Sequence, residues 1–201
     1  MSDDTRLRIH GCERVLDGWI AVDDLELSHR RFDGGWTRAL DRRIVRRGEA
    51  VVVLPYDAAR DRVVFIEQFR AGAIADARSP WLVEIVAGLR DKGGSPEETA
   101  GRELVEEAGL DAGELLQVWE GYATPGFADE YLYGFIAQAD AGAVDGHHGL
   151  HEEDEDIRPF TLAFDEAMDW WRRAEIRNLP AITTLLALAA ERPRLRARWR
   201  G

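Results

Sequence analysis

Residues 50–69, AVVVLPYDAARDRVVFIEQF, constrain this chain more than any other stretch. Two apolar, β-branched runs flank a polar turn at Asp57 to Asp61. That pattern reads as a hairpin with a buried strand. WLVEIVAG, ending at Gly88, is another strand, and LLQVWEGYAT and EYLYGFIAQA are two more. FDEAMDWWRRAEI and PAITTLLALAAE are amphipathic helices, the second the more apolar. Strands with a central helix and two terminal helices predict a mixed α/β architecture.

The segment before residue 47 differs. GWIAVDDLELSHRRFDGGWTRALDRRIV mixes short alternating runs with a glycine turn at Gly34-Gly35, and predicts a few antiparallel strands. Residues 1–47 are therefore expected to form a small β-subdomain and residues 48–201 the main domain. A small sheet is marginal alone, so the first segment is expected to pack in an obligate homodimer. The tail RPRLRARWR carries five arginines, and is read as a solvated end balancing an acidic body.

Charge and composition exclude several classes. The chain has 201 residues and a formal net charge of −12. Nucleic acid and anionic membranes both demand a positive surface, so neither is expected as a partner. Cys12 is the one cysteine, which leaves no intrachain disulfide or cysteine-based zinc site and suits a reducing cytosol. MSDDTRLRIH lacks an apolar core, so no signal peptide is expected and a cytoplasmic location is.

The central helix carries the chemistry. Ser95 is a good N-cap, Pro96 suits the first helical position, Glu98 completes a capping box and Gly109 ends the helix. Ala100, Leu104 and Ala108 recur at i, i+4 and predict a packed face. Glu103, Glu106 and Glu107 fall at i, i+3 and i+4 with no Lys or Arg interleaved. Like charges so placed repel. A divalent cation resolves the repulsion, because hard cations such as Mg²⁺ take carboxylate oxygens together with waters and phosphates. A solvated acidic face is the other reading.

The surrounding residues decide between the two. From Gly88 to Leu110 the chain reads GLRDKGGSPEETAGRELVEEAGL. It resembles the Nudix signature, G-x5-E-x7-R-E-U-x-E-E-x-G-U with U aliphatic. Gly88, Arg102, Glu103, Leu104, Glu106, Glu107, Gly109 and Leu110 match in register. The signature's first glutamate falls on Gly94, so an acid that supports the loop and helix, often through the signature arginine, is missing. The resemblance spans nearly the whole chain and is to the ADP-ribose pyrophosphatase branch, through GEAVVVLPYD, VVFIEQFR, PWLVEIVAG, YATPGFADE and HGLHEEDEDIR.

That resemblance implies a Nudix α/β/α sandwich with a mixed sheet, plus a small N-terminal antiparallel β-subdomain exchanged between the subunits of a homodimer. It implies Mg²⁺-dependent hydrolysis of the pyrophosphate bond of ADP-ribose to AMP and ribose 5-phosphate, with Mn²⁺ as a substitute ion. Glu103 and Glu107 match the principal metal carboxylates, Glu106 a further carboxylate, and Ala87 a residue whose backbone carbonyl meets the metal. Arg102 is the signature arginine. Glu153 matches the base on a mobile loop, with Glu152 and Glu155 as rivals in the same acidic run. Arg70, Arg42 and Glu130 match residues that hold phosphates, adenine or ribose, with Arg43 an alternative to Arg42. Trp19 sits where the branch stacks an aromatic ring on adenine, and a place in a dimer core is its other reading. His147, His148 and His151 are given no catalytic role, since Mg²⁺ prefers oxygen. Glu84 is either a strand-face charge or the buried partner of an arginine near the site. Two further readings stand beside ADP-ribose hydrolysis: a Nudix hydrolase of another nucleoside diphosphate sugar or dinucleotide, and a catalytically silent ligand-binding module motivated by Gly94.

Overall fold

The computed structural model describes residues 5–90, 93–149 and 155–199. The chain divides into two compact units: Met1–Glu49 with Gly121–Tyr131, and Ala50–Glu120 with Leu132–Gly201.

The first unit is a three-stranded antiparallel sheet, ordered β1 (Leu7–Leu16), β2 (Ala21–His29), β3 (Leu40–Arg46). The sequence pattern foretold β2 and β3 but not β1, whose alternation is broken by an irregularity between Ile9 and Gly11. Gly121–Tyr131 joins this unit from far along the chain, which a division at residue 47 does not capture. The Val45 amide donates to the Phe127 carbonyl at 2.8 Å. The Asp129 carboxylate accepts from the Arg47 amide at 2.7 Å and the Gly48 amide at 3.2 Å. Ion pairs knit the sheet: buried Asp23 lies between Arg14 and Arg46, and Arg43 grips Asp24 with two bonds of 2.6 and 2.7 Å. Leu7, Ile9, Val15 and Leu16 of β1 remain exposed.

The second unit is built on a seven-stranded mixed sheet. Its main path runs β10 (Arg158–Ala163), β5 (Arg62–Phe69), β4 (Glu49–Asp57), β9 (Tyr131–Gln138), β8 (Leu115–Tyr122). The β4–β5 hairpin turns at the expected place, with Asp57 opposite Arg62 and Asp61 in the left-handed region at φ 57°. Only Tyr56 and Asp57 of β4 pair with β5. The segment read as one strand, WLVEIVAG, is two strands serving different neighbours. β6 (Trp81–Glu84) pairs with β5, and β7 (Val86–Leu89) pairs with β4.

Every described position from Ala50 to Asp57 is buried because both faces of β4 are covered. Val51 and Val53 join Val64 and Ile66 under Ala100, Leu104 and Ala108 of α1 (Pro96–Ala108). Val52, Leu54 and Tyr56 face the opposite core with Val63 and Phe65. There they meet α2 (Phe164–Arg172) and α3 (Leu179–Trp199) through Phe164, Ala167, Leu185 and Leu188. Helices on both faces of one sheet make the α/β/α sandwich.

The arginine-rich tail corrects the reading of a solvated end. It is the last turns of α3, with Leu195 and Trp199 buried. Arg192 and Arg196 both pair with Asp61, and Arg198 pairs with Glu114 at 2.7 Å. Among the described residues no helix is long and apolar enough to cross a membrane.

Candidate active site

Local sequence sets the central helix. The Ser95 hydroxyl accepts from the Glu98 amide at 3.2 Å, and the Glu98 carboxylate accepts from the Ser95 amide at 2.8 Å. Pro96 occupies the first turn, and Gly109 closes the helix at φ 63°. Gly94 sits just before this cap at φ 92°, and a Cβ there would lie 2.8 Å from Glu98 Oε2. The capping box therefore fills the space beside the position where the signature carries an acid.

Packing α1 on β7 brings two of the three glutamates inward. Glu103 is 8% exposed and Glu107 5%. Glu107 Oε2 accepts from the Ala87 amide at 2.9 Å. The Glu103 carboxyl lies so close over Gly88 that any Cβ there would collide with it. Glycine is required at 88 for that approach alone. Glu106 lies at the helix flank, half-buried, and its backbone carbonyl accepts from the Gly149 amide at 3.4 Å. The i, i+4 pair is thus the buried pair, while i+3 faces aside.

Electrostatics mark Glu107. Burial pushes its carboxyl up to about 8, the charges of Glu103 and Glu155 push the same way, and the Ala87 amide and Arg70 pull back. Arg102 Nη2 donates to Glu103 Oε1 at 2.7 Å. The Arg102 Nε is buried without a hydrogen-bond partner. Among the described residues no three His, Cys, Asp or Glu side chains form a ready cage for a metal ion. Two buried, mutually repelling carboxylates beside a backbone strand still suit a hard cation, which completes its shell with waters and substrate oxygens.

Arg70 follows β5 and reaches Glu84. Its Nε donates to Glu84 Oε1 and Oε2 at 3.2 and 3.1 Å, and its Nη2 to Oε2 at 2.8 Å. Burial opposes the Arg70 charge, but the Glu84 carboxylate more than offsets it and raises the pKa, with smaller help from Glu107 and Glu155. Glu84 is therefore the buried partner of an arginine. Glu155, one of the rivals for the base, acts electrostatically on both Glu107 and Arg70. Glu153, Glu152 and His151 lie outside the described residues. His147 bonds Asp156 at 3.3 Å, and His148 bonds the Asp145 carbonyl at 2.7 Å.

The remaining residues lie in the first unit. Trp19 is exposed, and the Arg47 guanidinium stacks over its ring at 5.4 Å. Arg47 also pairs with Glu130 at 3.6 Å. Trp19 and Glu130 are thus joined through Arg47, which sequence reasoning did not single out. Arg42 is not part of that group. It donates to the Asp41 carbonyl at 2.8 Å and lines an open groove of about 640 Å³ on the sheet with Cys12, Asp24 and Arg43. Arg43 is committed to Asp24.

A covered sheet, a capped helix holding paired buried carboxylates and a glycine pressed against them define the class. Residues 46–182 match the NUDIX domain. The chain belongs to the NUDIX domain family and is a Nudix hydrolase. It is 36% identical over 187 residues to the ADP-ribose pyrophosphatase of Escherichia coli (strain K12), covering 93% of this chain and 90% of that protein. It is 33% identical over 200 residues to the ADP-ribose pyrophosphatase of Haemophilus influenzae, covering 96% and 91%. The GDP-mannose pyrophosphatase of Escherichia coli O1:K1 / APEC is 32% identical over 169 residues, covering 83% and 86%. A solved structure described as an ADP compounds hydrolase superposes with a TM-score of 0.71 at 21% identity, covering 98% of this chain and 97% of that one. That likeness supports the fold.

Proposed function

We propose that the chain hydrolyses the pyrophosphate bond of ADP-ribose to AMP and ribose 5-phosphate. The observation that carries the chemistry is the buried Glu103–Glu107 pair pressed against Gly88 and Ala87. The choice of ADP-ribose rests on the two pyrophosphatase relatives, which match across more than nine-tenths of this chain.

In this reading Glu103, Glu107 and the Ala87 carbonyl would hold Mg²⁺, or Mn²⁺ in its place, with Glu106 as a further carboxylate. An ion held there would supply positive charge against the pyrophosphate. Arg102 braces Glu103. Arg70 turns the free edge of its planar guanidinium to a phosphate. Glu153 accepts the proton of the attacking water. Water's oxygen joins one phosphorus, the P–O–P bridge breaks, and the bridging oxygen leaves with the other phosphate. Trp19, Arg42 and Glu130 hold adenine and ribose, with Trp19 supplied by a partner subunit through the exchanged N-terminal subdomain of a homodimer. The enzyme works in the cytoplasm.

The GDP-mannose pyrophosphatase relative favours a second reading, another nucleoside diphosphate sugar as substrate. One assay separates them: incubate the protein and Mg²⁺ with ADP-ribose, GDP-mannose and dinucleotides, and follow nucleoside monophosphate release. ADP-ribose should give AMP with the highest kcat/KM. Faster cleavage of GDP-mannose would replace the substrate, and tight binding without turnover would make the chain a silent module.

A further inference from the structure

The Arg70–Glu84 pair has a sealed end and an open end. The Glu84 side chain is 4% exposed, whereas that of Arg70 is 43% exposed. A carboxylate taken out of water must have its oxygens occupied, and those of Glu84 are. Oε1 accepts from Arg70 Nε, and Oε2 accepts from Arg70 Nε, Arg70 Nη2 and Gln68 Nε2, the last at 3.3 Å. The Nε–Nη2 edge of the guanidinium is thereby taken from behind. The Nη1 side is left outside the pair.

The backbone fixes both partners. The Arg70 amide donates to the Pro80 carbonyl at 2.9 Å, and Glu84 lies opposite Ile66 in the β5–β6 ladder. Glu84 is the last residue of β6, and three residues later Ala87 gives its amide to Glu107. The short passage from the end of β6 into β7 therefore ties the arginine's anchor to the glutamate pair of α1. Stability alone does not explain the pair, since buried ion pairs are often matched by apolar residues of similar volume.

We infer that Glu84 is a positioning residue: its buried carboxylate holds Arg70 by one edge so that the other edge meets the substrate's pyrophosphate, with Gln68 fixing the carboxylate in turn. This rests on the proposed phosphate contact of Arg70. Without the clamp the guanidinium keeps its charge but loses its orientation, so ground-state binding should suffer more than turnover at saturation.

The test is steady-state kinetics on ADP-ribose with Mg²⁺ for Arg70→Ala, Glu84→Gln and the double variant. Both single variants should raise KM about tenfold, with kcat within about threefold of wild type. In the Arg70→Ala background Glu84→Gln should add less than about twofold, because the residue it orients is gone. A Glu84→Gln protein with lower kcat and unchanged KM would show a merely structural role and overturn the inference. So would a full tenfold effect on top of Arg70→Ala. If Arg70→Ala leaves KM unchanged, the phosphate contact itself is wrong and the positioning role falls with it. Gln68→Met, which loosens Glu84 while leaving the ion pair, covers the case in which Glu84→Gln does not fold. It should raise KM about two- to threefold, and an unchanged KM counts against the inference.

Discussion

β4 is apolar from Ala50 to Tyr56, whereas β1 mixes Leu7, Ile9, Val15 and Leu16 with Arg8, His10, Glu13 and Arg14, and the two strands solve opposite problems. Every residue of β4 after Glu49 is buried, because α1 covers one face of its sheet and α2 and α3 the other. β1 is exposed along nearly its whole length, and its sheet is held by backbone pairing and by arginine–aspartate bridges at Asp23 and Asp24. Solvent-exposed pairs contribute little each, and a three-stranded sheet without a covered apolar face is marginal. The difference teaches where stability and chemistry reside. The sandwich can hold a repelling pair of buried glutamates because its two cores supply the free energy, while the first unit has no such reserve and leaves Leu7, Ile9, Val15 and Leu16 exposed.

The strongest way to probe the sandwich is to hollow it. Phe65 is fully buried and packs against Phe160 with ring centroids 6.1 Å apart. Phe65→Ala should destabilise by about 3–5 kcal/mol, read as a fall in the denaturation midpoint. A loss below about 1 kcal/mol would mean the two-core description is wrong.

Next comes the site that this core carries. Glu107→Gln should lower kcat by about 10²–10³-fold, the usual worth of one fixed electrostatic group. Its fold should persist, because Gln still accepts from the Ala87 amide. The pH dependence has a definite sign. The folded carboxyl titrates near 8 against an ordinary value of 4.5, so the folded state binds more protons than the unfolded state between those values. Stability of the metal-free protein should therefore fall as pH rises from about 5 to about 8. Thermal melts in EDTA should show that slope in the wild type and a weaker one in Glu107→Gln. Equal slopes would mean Glu107 is not held in a desolvated, carboxylate-rich pocket.

A smaller effect belongs to the clamp between the hairpin turn and α3. Asp61 accepts from Tyr56 at 2.7 Å and pairs with Arg192 and Arg196. Burial works against its charge, but the arginines and the tyrosine hold its carboxyl down to about 2. The folded pKa lies below the unfolded one, so the stabilisation is present above about pH 4 and is lost as pH falls toward 2. Discounted for its partial exposure, it is about 1 kcal/mol. Asp61→Asn should lose that amount at pH 7 and nothing near pH 2, in paired denaturant titrations. An equal loss at both pH values would assign the effect to hydrogen bonding alone.

The sandwich was largely legible because its signals are local. Ser95, Pro96, Glu98 and Gly109 bracket α1 within fifteen positions, and Ala100, Leu104 and Ala108 announce its packed face. The glutamate triplet was visible, but not that Glu103 and Glu107 turn to the strand while Glu106 stays at the flank, which depends on how α1 sits on β7. The Arg70–Glu84 clamp joins residues whose strand register no local pattern encodes. The arginine tail was misread for the same reason, since its partner Asp61 lies 131 residues from Arg192. β1 was missed because its irregularity near Gly11 breaks the period-two signal.

The smallest expected effect on a single chain is the sharpest test of the comparison. Ile9 and Leu16 are 42% and 54% exposed on β1. Truncating such residues in an uncovered sheet should change the stability of one chain by about 0.5 kcal/mol or less. If a second copy covers them in the proposed homodimer, the same positions become interface core, where a buried charge carries a large penalty. Ile9→Asp together with Leu16→Asp should therefore leave the sandwich folded by circular dichroism and by its main melting transition. It should shift sedimentation at micromolar concentration from dimer to monomer. A variant that sediments as a dimer with wild-type affinity would show that this face is not the interface. A wild-type protein that is already monomeric, with full activity, would go further: it would mean that the bare sheet is stable as it stands and that Trp19 cannot be donated across subunits.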